Sequence, residues 1–212
     1  MSDRESLRAA FDELRAAIER WQPELMSLFR PPVAFDADWC EAPGSEQLRE
    51  LWSITGGQDR ALEDTLGVVG GLCLLGPDTS QRERETWEEL LTEGSGLTAV
   101  TGSDWGATSS QPDEVQAVYF AAGWIPVFSE PMEANYLAVD LVPGPAGRPG
   151  QIILCGRDED EKCVVAPDLA TVLRRLAAEC RAGNWSLETG SSREGSYRYV
   201  DASGPLLSTL RP

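Results

Sequence analysis

Between Val115 and Val165 the chain repeats one pattern five times: a short apolar run, then a break. The runs are Val115–Ala121, Trp124–Phe128, Tyr136–Leu141, Gln151–Cys155 and Lys162–Val165. Runs of this length, bounded by turn-forming residues, predict successive β-strands. Within Tyr136–Leu141 the two-residue period puts Leu137, Val139 and Leu141 on one face. Tyr136, Ala138 and Asp140 take the other. Residues 143–150, rich in Pro and Gly, form a wide turn. The acidic connection Asp158–Glu161 is too short for a crossover, so the last two runs predict an antiparallel hairpin. Centred on Glu159, that hairpin sets Cys155 opposite Cys163, as paired thiols in a half-buried sheet.

Helical patterns flank this region. In residues 2–29, Leu7, Phe11, Leu14, Ile18, Trp21, Leu25 and Leu28 recur at spacings of four and three, which makes one apolar stripe. Ser2 and Glu5 suit a capping box, and Pro23 should kink or divide the helix near Gln22. The stripe can pack on its own domain or serve as a dimer seam, and the first use is favoured. A second helix is predicted over 45–55, with Leu48, Leu51 and Trp52 inward. Leu72–Leu75 suits a buried strand. A third helix, opened by Ser80 and Glu83 as a capping box, runs to about Thr92 and turns Glu83, Glu85, Glu88 and Glu89 outward. Residues 93–114 read as a long loop. Pro167 opens and Gly183 closes a last helix, whose buried side is Leu169, Val172, Leu173, Leu176 and Cys180. Trp21, Trp52, Trp87 and Trp124 fall in regular segments and are expected in the core. Trp39, Trp105 and Trp185 are expected to be partly exposed.

Composition narrows the chemistry. The chain has 212 residues, no His, five Cys and a formal charge of −17. A chain of this size buries about 70% of its unfolded surface and needs neither disulfide nor metal to hold a core. Without His there is no Ser-His-Asp or Cys-His pair and no His-ligated zinc, and C-x-x-C is absent. No cofactor motif survives inspection. The formal G-x-G-x-x-A match at 94–99 follows a charged helix, where a dinucleotide site needs a strand. The single lysine, Lys162, sits after Asp158-Glu159-Asp160-Glu161, whose carboxylates are expected to raise its pKa. Strong net negative charge disfavours direct nucleic-acid binding and favours a basic protein partner. The longest uncharged stretch, 115–129, is too short and polar to cross a bilayer, and an odd number of cysteines fits a cytoplasmic, reduced setting.

The ordered pieces Trp124-Ile125-Pro126-Val127-Phe128, Asn135-Tyr136-Leu137-Ala138-Val139-Asp140-Leu141, Pro143-Gly144-Pro145, Gly147, Gly150-Gln151-Ile152-Ile153, an acidic turn and Val164-Val165-Ala166-Pro167 resemble the SUKH superfamily. That superfamily includes the yeast cell-wall-assembly regulators and many bacterial immunity proteins. The resemblance implies an α+β domain with a mostly antiparallel sheet in the second half, packed by helices from the first half and by a closing helix. The whole of 1–212 then reads as one domain, with a helical arm at 1–30, the family core at 45–183 and a tail at 184–212. It also implies a binding protein without catalytic equipment.

Three functional readings follow. The first is an acidic immunity protein that neutralises a toxin, of nuclease type, through a basic surface on that toxin. The second is a regulatory adaptor or small-ligand module like the cell-wall regulators. Its candidate surface is Trp105, Trp124, Tyr136 and Asp140 with the 94–114 loop, beside the acidic surface of Glu83, Glu85, Glu88 and Glu89. The third is a paired-carboxylate enzyme, for which Asp140 is the best single candidate. Against a site role, Asp140 can instead hold the following turn through hydrogen bonds.

Overall fold

A computed structural model describes residues 3–58, 67–69, 71–92, 108–130, 135–183, 185–188, 196–199 and 210–212. Helix α1 spans Asp3–Trp21, and Pro23 diverts the chain into a 3-10 segment, Pro23–Leu28. After α2 (Glu46–Ile54) come the short strand β1 (Cys73–Leu74), α3 (Pro77–Thr92) and the short strand β2 (Thr108–Ser109). Four six-residue strands follow: β3 (Trp124–Ser129), β4 (Asn135–Asp140), β5 (Gln151–Gly156) and β6 (Glu161–Ala166). Helix α4 (Leu169–Ala182) and a hairpin of β7 (Trp185–Glu188) and β8 (Ser196–Tyr199) end the series. The six-stranded sheet runs β1-β3-β4-β5-β6-β2, antiparallel throughout except for the β2–β6 pair. The fold is α+β, as expected.

The alternation in β4 is realised, but both of its faces are covered. Leu137, Val139 and Leu141 join a large apolar core with α1, α2 and α4. The stripe Leu7, Phe11, Leu14 and Ile18 therefore packs on its own fold, against Val172, Leu173, Leu176 and Cys180 of α4. Tyr136 and Ala138 lie in a second, smaller core with Trp87 of α3, Val115, Phe120 and Trp124. A bulge between Pro126 and Phe128 turns both Val127 and Phe128 to the large core.

Several sequence expectations change. Val115–Ala121 is no ladder strand. It crosses the sheet face irregularly, which puts Val115 and Phe120 in the second core. The predicted loop 93–114 instead contributes β2, whose Thr108 and Ser109 pair with Glu161 and Lys162. The β5–β6 register places Cys163 opposite Leu154, one residue from the symmetric hairpin. Side chains alternate along a strand, so that shift puts Cys155 and Cys163 in different cores. Helix α3 begins at Pro77 rather than Ser80, and the Ser80 hydroxyl donates to the Pro126 carbonyl, 2.5 Å away. Helix α4 begins after Pro167, capped by Asp168, whose carboxylate accepts from the Thr171 N–H at 2.7 Å. Trp39 is buried in tilted ring contacts with Phe35 and Trp52, and its indole N–H donates to Gln81. The Ser2–Glu5 capping pattern lies outside the described residues.

Candidate functional site

The polar residues singled out in the sequence converge beneath α3, inside the fold. Trp124, Tyr136 and Asp140 are all buried, at most 1% exposed. They form part of the scaffold and offer no surface for docking. Trp105 lies outside the described residues. Glu83 departs most from expectation. It is 6% exposed, and the Tyr136 hydroxyl donates to its Oε2 at 3.0 Å. Charge suggested an outward Glu83, but it stands four residues before the buried Trp87, shares that helix face and meets Tyr136 below it. Its neighbour Arg84 is also buried and reaches Glu88 at 2.8 Å and Asp38 at 3.2 Å. The exposed acids among the described side chains of α3 are thus Asp78, Glu85 and Glu89, with Glu88 half-buried.

Asp140 holds the wide turn. Its Oδ1 accepts from the Val142 N–H and its Oδ2 from the Gln151 side chain, each at 3.0 Å. The same Gln151 amide donates to the Glu114 carbonyl, and its Oε1 accepts from the Arg148 N–H. Burial pushes the Asp140 carboxyl up to about 6. The bonds from Gln151 and Val142 and the adjacent Trp124 indole partly offset this. Such a shifted carboxyl would suit general-acid chemistry, but its oxygens are engaged by the turn it organises.

Lys162 is fully buried, and its pKa is lowered by desolvation. The expected rise from the neighbouring acids is therefore reversed: Cys155, Glu159 and Asp160 oppose the shift without overcoming it. The ammonium donates to the Glu159 carbonyl and lies 5.5 Å from the Tyr119 ring centroid. Burial likewise pushes the Cys155 thiol up to about 12, which makes it a poor nucleophile at neutral pH.

On the side of α1, α2 and α4 is a feature the sequence did not announce. The start of α2, the turn before β5 and the entry to α4 enclose a groove of about 300 Å³. Leu7 and Ala170, both buried, form its apolar base, and the exposed Pro149 and Pro167 flank it. Gln47 ties the three walls together. Its Nε2 donates to the Gly150 carbonyl, and its Oε1 accepts from the Leu169 N–H at 2.7 Å. Gly44 and Gly150 allow the two turns to touch. A Cβ on Gly44 would lie 2.4 Å from the Gly150 nitrogen, and both glycines have φ near +90°. Glu46, Glu50 and Asp168 also line the groove, and among the described residues that line it there is no Arg or Lys. No signal in the sequence joins these segments, because Gln47 and Leu169 are 122 positions apart.

Among the described residues, no group of three or more Cys, Asp or Glu is placed to hold a metal ion. No described helix is long and apolar enough to cross a membrane.

No family model matches the chain. Similar proteins do. The cell wall biosynthesis/cell cycle regulator smi1 of Schizosaccharomyces pombe is 37% identical over 153 residues, covering 70% of this chain and 30% of the relative. The KNR4/SMI1 homolog of Yarrowia lipolytica is 40% identical over 219 residues, covering 81% of this chain and 30% of that protein. The glucan synthesis regulatory protein of Neurospora crassa is 44% identical over 175 residues, covering 70% and 32%. The chain thus spans about a third of the length of these curated relatives.

Proposed function

The chain belongs to the SMI1/KNR4 (SUKH) family, and from that premise we propose that it is a non-catalytic regulatory adaptor that works by docking a basic protein partner. The observation that carries this reading is the name its relatives bear: regulators of cell-wall or glucan synthesis. Those names favour the adaptor reading over toxin neutralisation, which rests on acidity and the broader superfamily alone.

The geometry supports the same reading. Asp140, Tyr136, Glu83 and Lys162 take part in hydrogen bonds that hold the scaffold, so they need no substrate to explain them. The whole chain carries a formal charge of −17, and Glu85 and Glu89 on α3 and the acids of the groove are exposed or half-buried. A surface of that sign speeds association with a basic partner.

The test is capture of the native partner by the full chain, followed by association kinetics at rising salt. A basic, non-toxin partner whose on-rate falls about tenfold or more between 50 and 300 mM salt is the expected result. A captured toxin whose activity the chain abolishes would reinstate the immunity reading. Turnover of any substrate, lost on a single side-chain change, would overturn both.

A further inference from the structure

Resting on the adaptor reading, we propose that Leu210 and Arg211 form an autoinhibitory clasp over the acidic β5–β6 turn, which a basic partner displaces with an apolar residue followed by arginine. The clasp is built from side chains. Leu210 is 2% exposed and belongs to the large core, to which β6 contributes Cys163 and Val165. The Arg211 guanidinium donates to the buried Glu159 carboxylate and lies 3.9 Å from Glu161. Among the described residues, no main-chain hydrogen bond joins 210–212 to a helix or strand. The segment can therefore leave without breaking a ladder or a helix. What it then exposes is one apolar seat beside two carboxylates.

The turn is braced independently of the clasp. The Glu159 carbonyl accepts from the buried Lys162 ammonium, and the Glu159 carboxylate accepts from the Glu161 N–H at 3.3 Å. On the β2 side, the Asp160 carbonyl accepts from the Thr108 hydroxyl at 2.7 Å and from its N–H at 3.3 Å. A ligand thus finds the turn assembled, and docking has little ordering cost. Charge and geometry select that ligand. Residues 157–162 carry four acids against Arg157 and Lys162, so two negative charges remain when Arg211 leaves. Arg157 is engaged by Asp158, and Lys162 is buried behind the turn. The seated segment shows the chemistry that fits: an aliphatic side chain in the core, then a planar guanidinium whose fork reaches two carboxylates from one position. Because Leu210 and Arg211 belong to the same chain, a partner competes against a ligand at high effective concentration.

The test is a titration of the full chain with the peptide fluorescein-Ala-Ala-Leu-Arg-Pro-NH2, read by anisotropy. The double variant Leu210→Ala/Arg211→Gln should bind it at least about tenfold more tightly than the unaltered chain, because the competitor in cis is gone. A citrulline peptide, which keeps the shape and removes the charge, should bind the double variant at least about fivefold more weakly. Adding Glu159→Gln to the double variant should cause a similar loss, whereas adding Glu85→Gln/Glu89→Gln should stay within about twofold. Equal affinity for the two chains, no binding to the folded double variant, or equal binding of citrulline overturns the clasp. So does equal loss in both acid variants, which would reduce the effect to the general field. Thermal unfolding checks that the double variant folds. If it does not, Arg211→Gln alone keeps Leu210 in the core and should gain about threefold, and no gain overturns the proposal. If the native basic partner binds the unaltered chain and the clasp-free variant equally well, the clasp fails and the adaptor reading stands. If the peptide results hold but no basic partner is captured, the adaptor reading is the one that fails.

Discussion

The two faces of the central sheet are built on different terms. The face toward α1, α2 and α4 is apolar: Phe11, Leu14, Ile18, Leu48, Val139, Ile152 and Leu173 meet there with almost no exposure. The face toward α3 is just as well covered, yet it buries Glu83, Tyr136, Asp140, Gln151 and Lys162. Burial of apolar surface needs only volume and shape, whereas a buried polar group costs stability unless a partner meets it. The first face should therefore be sensitive to lost atoms and indifferent to pH. The second should be sensitive to lost partners and to protonation.

The largest expected effect tests the apolar face. Phe11→Ala should cost about 3–5 kcal/mol through lost transfer energy and the cavity left behind. Urea unfolding should show the same loss at pH 5 and pH 7.5. A marked pH dependence would break the contrast.

Next comes Asp140. Its folded pKa of about 6 lies above the ordinary 3.8, so the charged form is disfavoured in the fold. This group's contribution to stability is complete below about pH 4 and is lost as pH rises through 6. That difference is worth up to about 3 kcal/mol. Asp140→Asn should flatten that part of the stability–pH curve. It should also weaken the turn, since an amide cannot accept from Val142 and Gln151 at both atoms. An unchanged curve, measured by thermal unfolding from pH 4 to 8, would remove Asp140 from the account.

A smaller loss, about 1–2 kcal/mol, is expected for Tyr136→Phe, which takes one donor from the buried Glu83 carboxylate. The double variant Glu83→Leu/Tyr136→Phe should recover part of that loss, because both polar partners then leave together. The smallest effect belongs to the rim of the apolar side. Glu13 pairs with Arg181 at 2.8 Å in a partly exposed setting, and Glu13→Gln should change stability by no more than about 0.5 kcal/mol.

The contrast also explains what could be read in advance. The alternation in β4, the stripe on α1 and the buried side of α4 are periodic apolar signals, and each lies where its period places it. On the polar face the corresponding signal, the four-residue spacing of Glu83 and Trp87, was masked by charge. Glu83 looked like its neighbours Glu85 and Glu89 until Tyr136 was brought under it from 53 positions away. Lys162 looked like a member of an acidic run, but the fold lays Tyr119 over it and removes water, so desolvation outweighs the carboxylates. The thiol pair failed for a related reason. A register shift of one residue is invisible in a turn sequence, yet it exchanges the faces of every side chain that follows. Trp39 sat in an irregular stretch and was expected near solvent. The aromatic contacts with Phe35 and Trp52 depend on where α2 docks, and local pattern cannot tell that.

By itself the sequence determined the order of the helices and of the four long strands, the apolar faces they bury and the sign of the net charge. These properties follow from local period and composition, which the chain carries whether or not it is folded. Tertiary structure alone decided which acids are hidden, which register the last hairpin takes and that a groove exists at all. Each of those depends on contacts such as Gln47 with Gly150, 103 positions apart, and the free energy of such contacts is set only once distant segments share the same desolvated space.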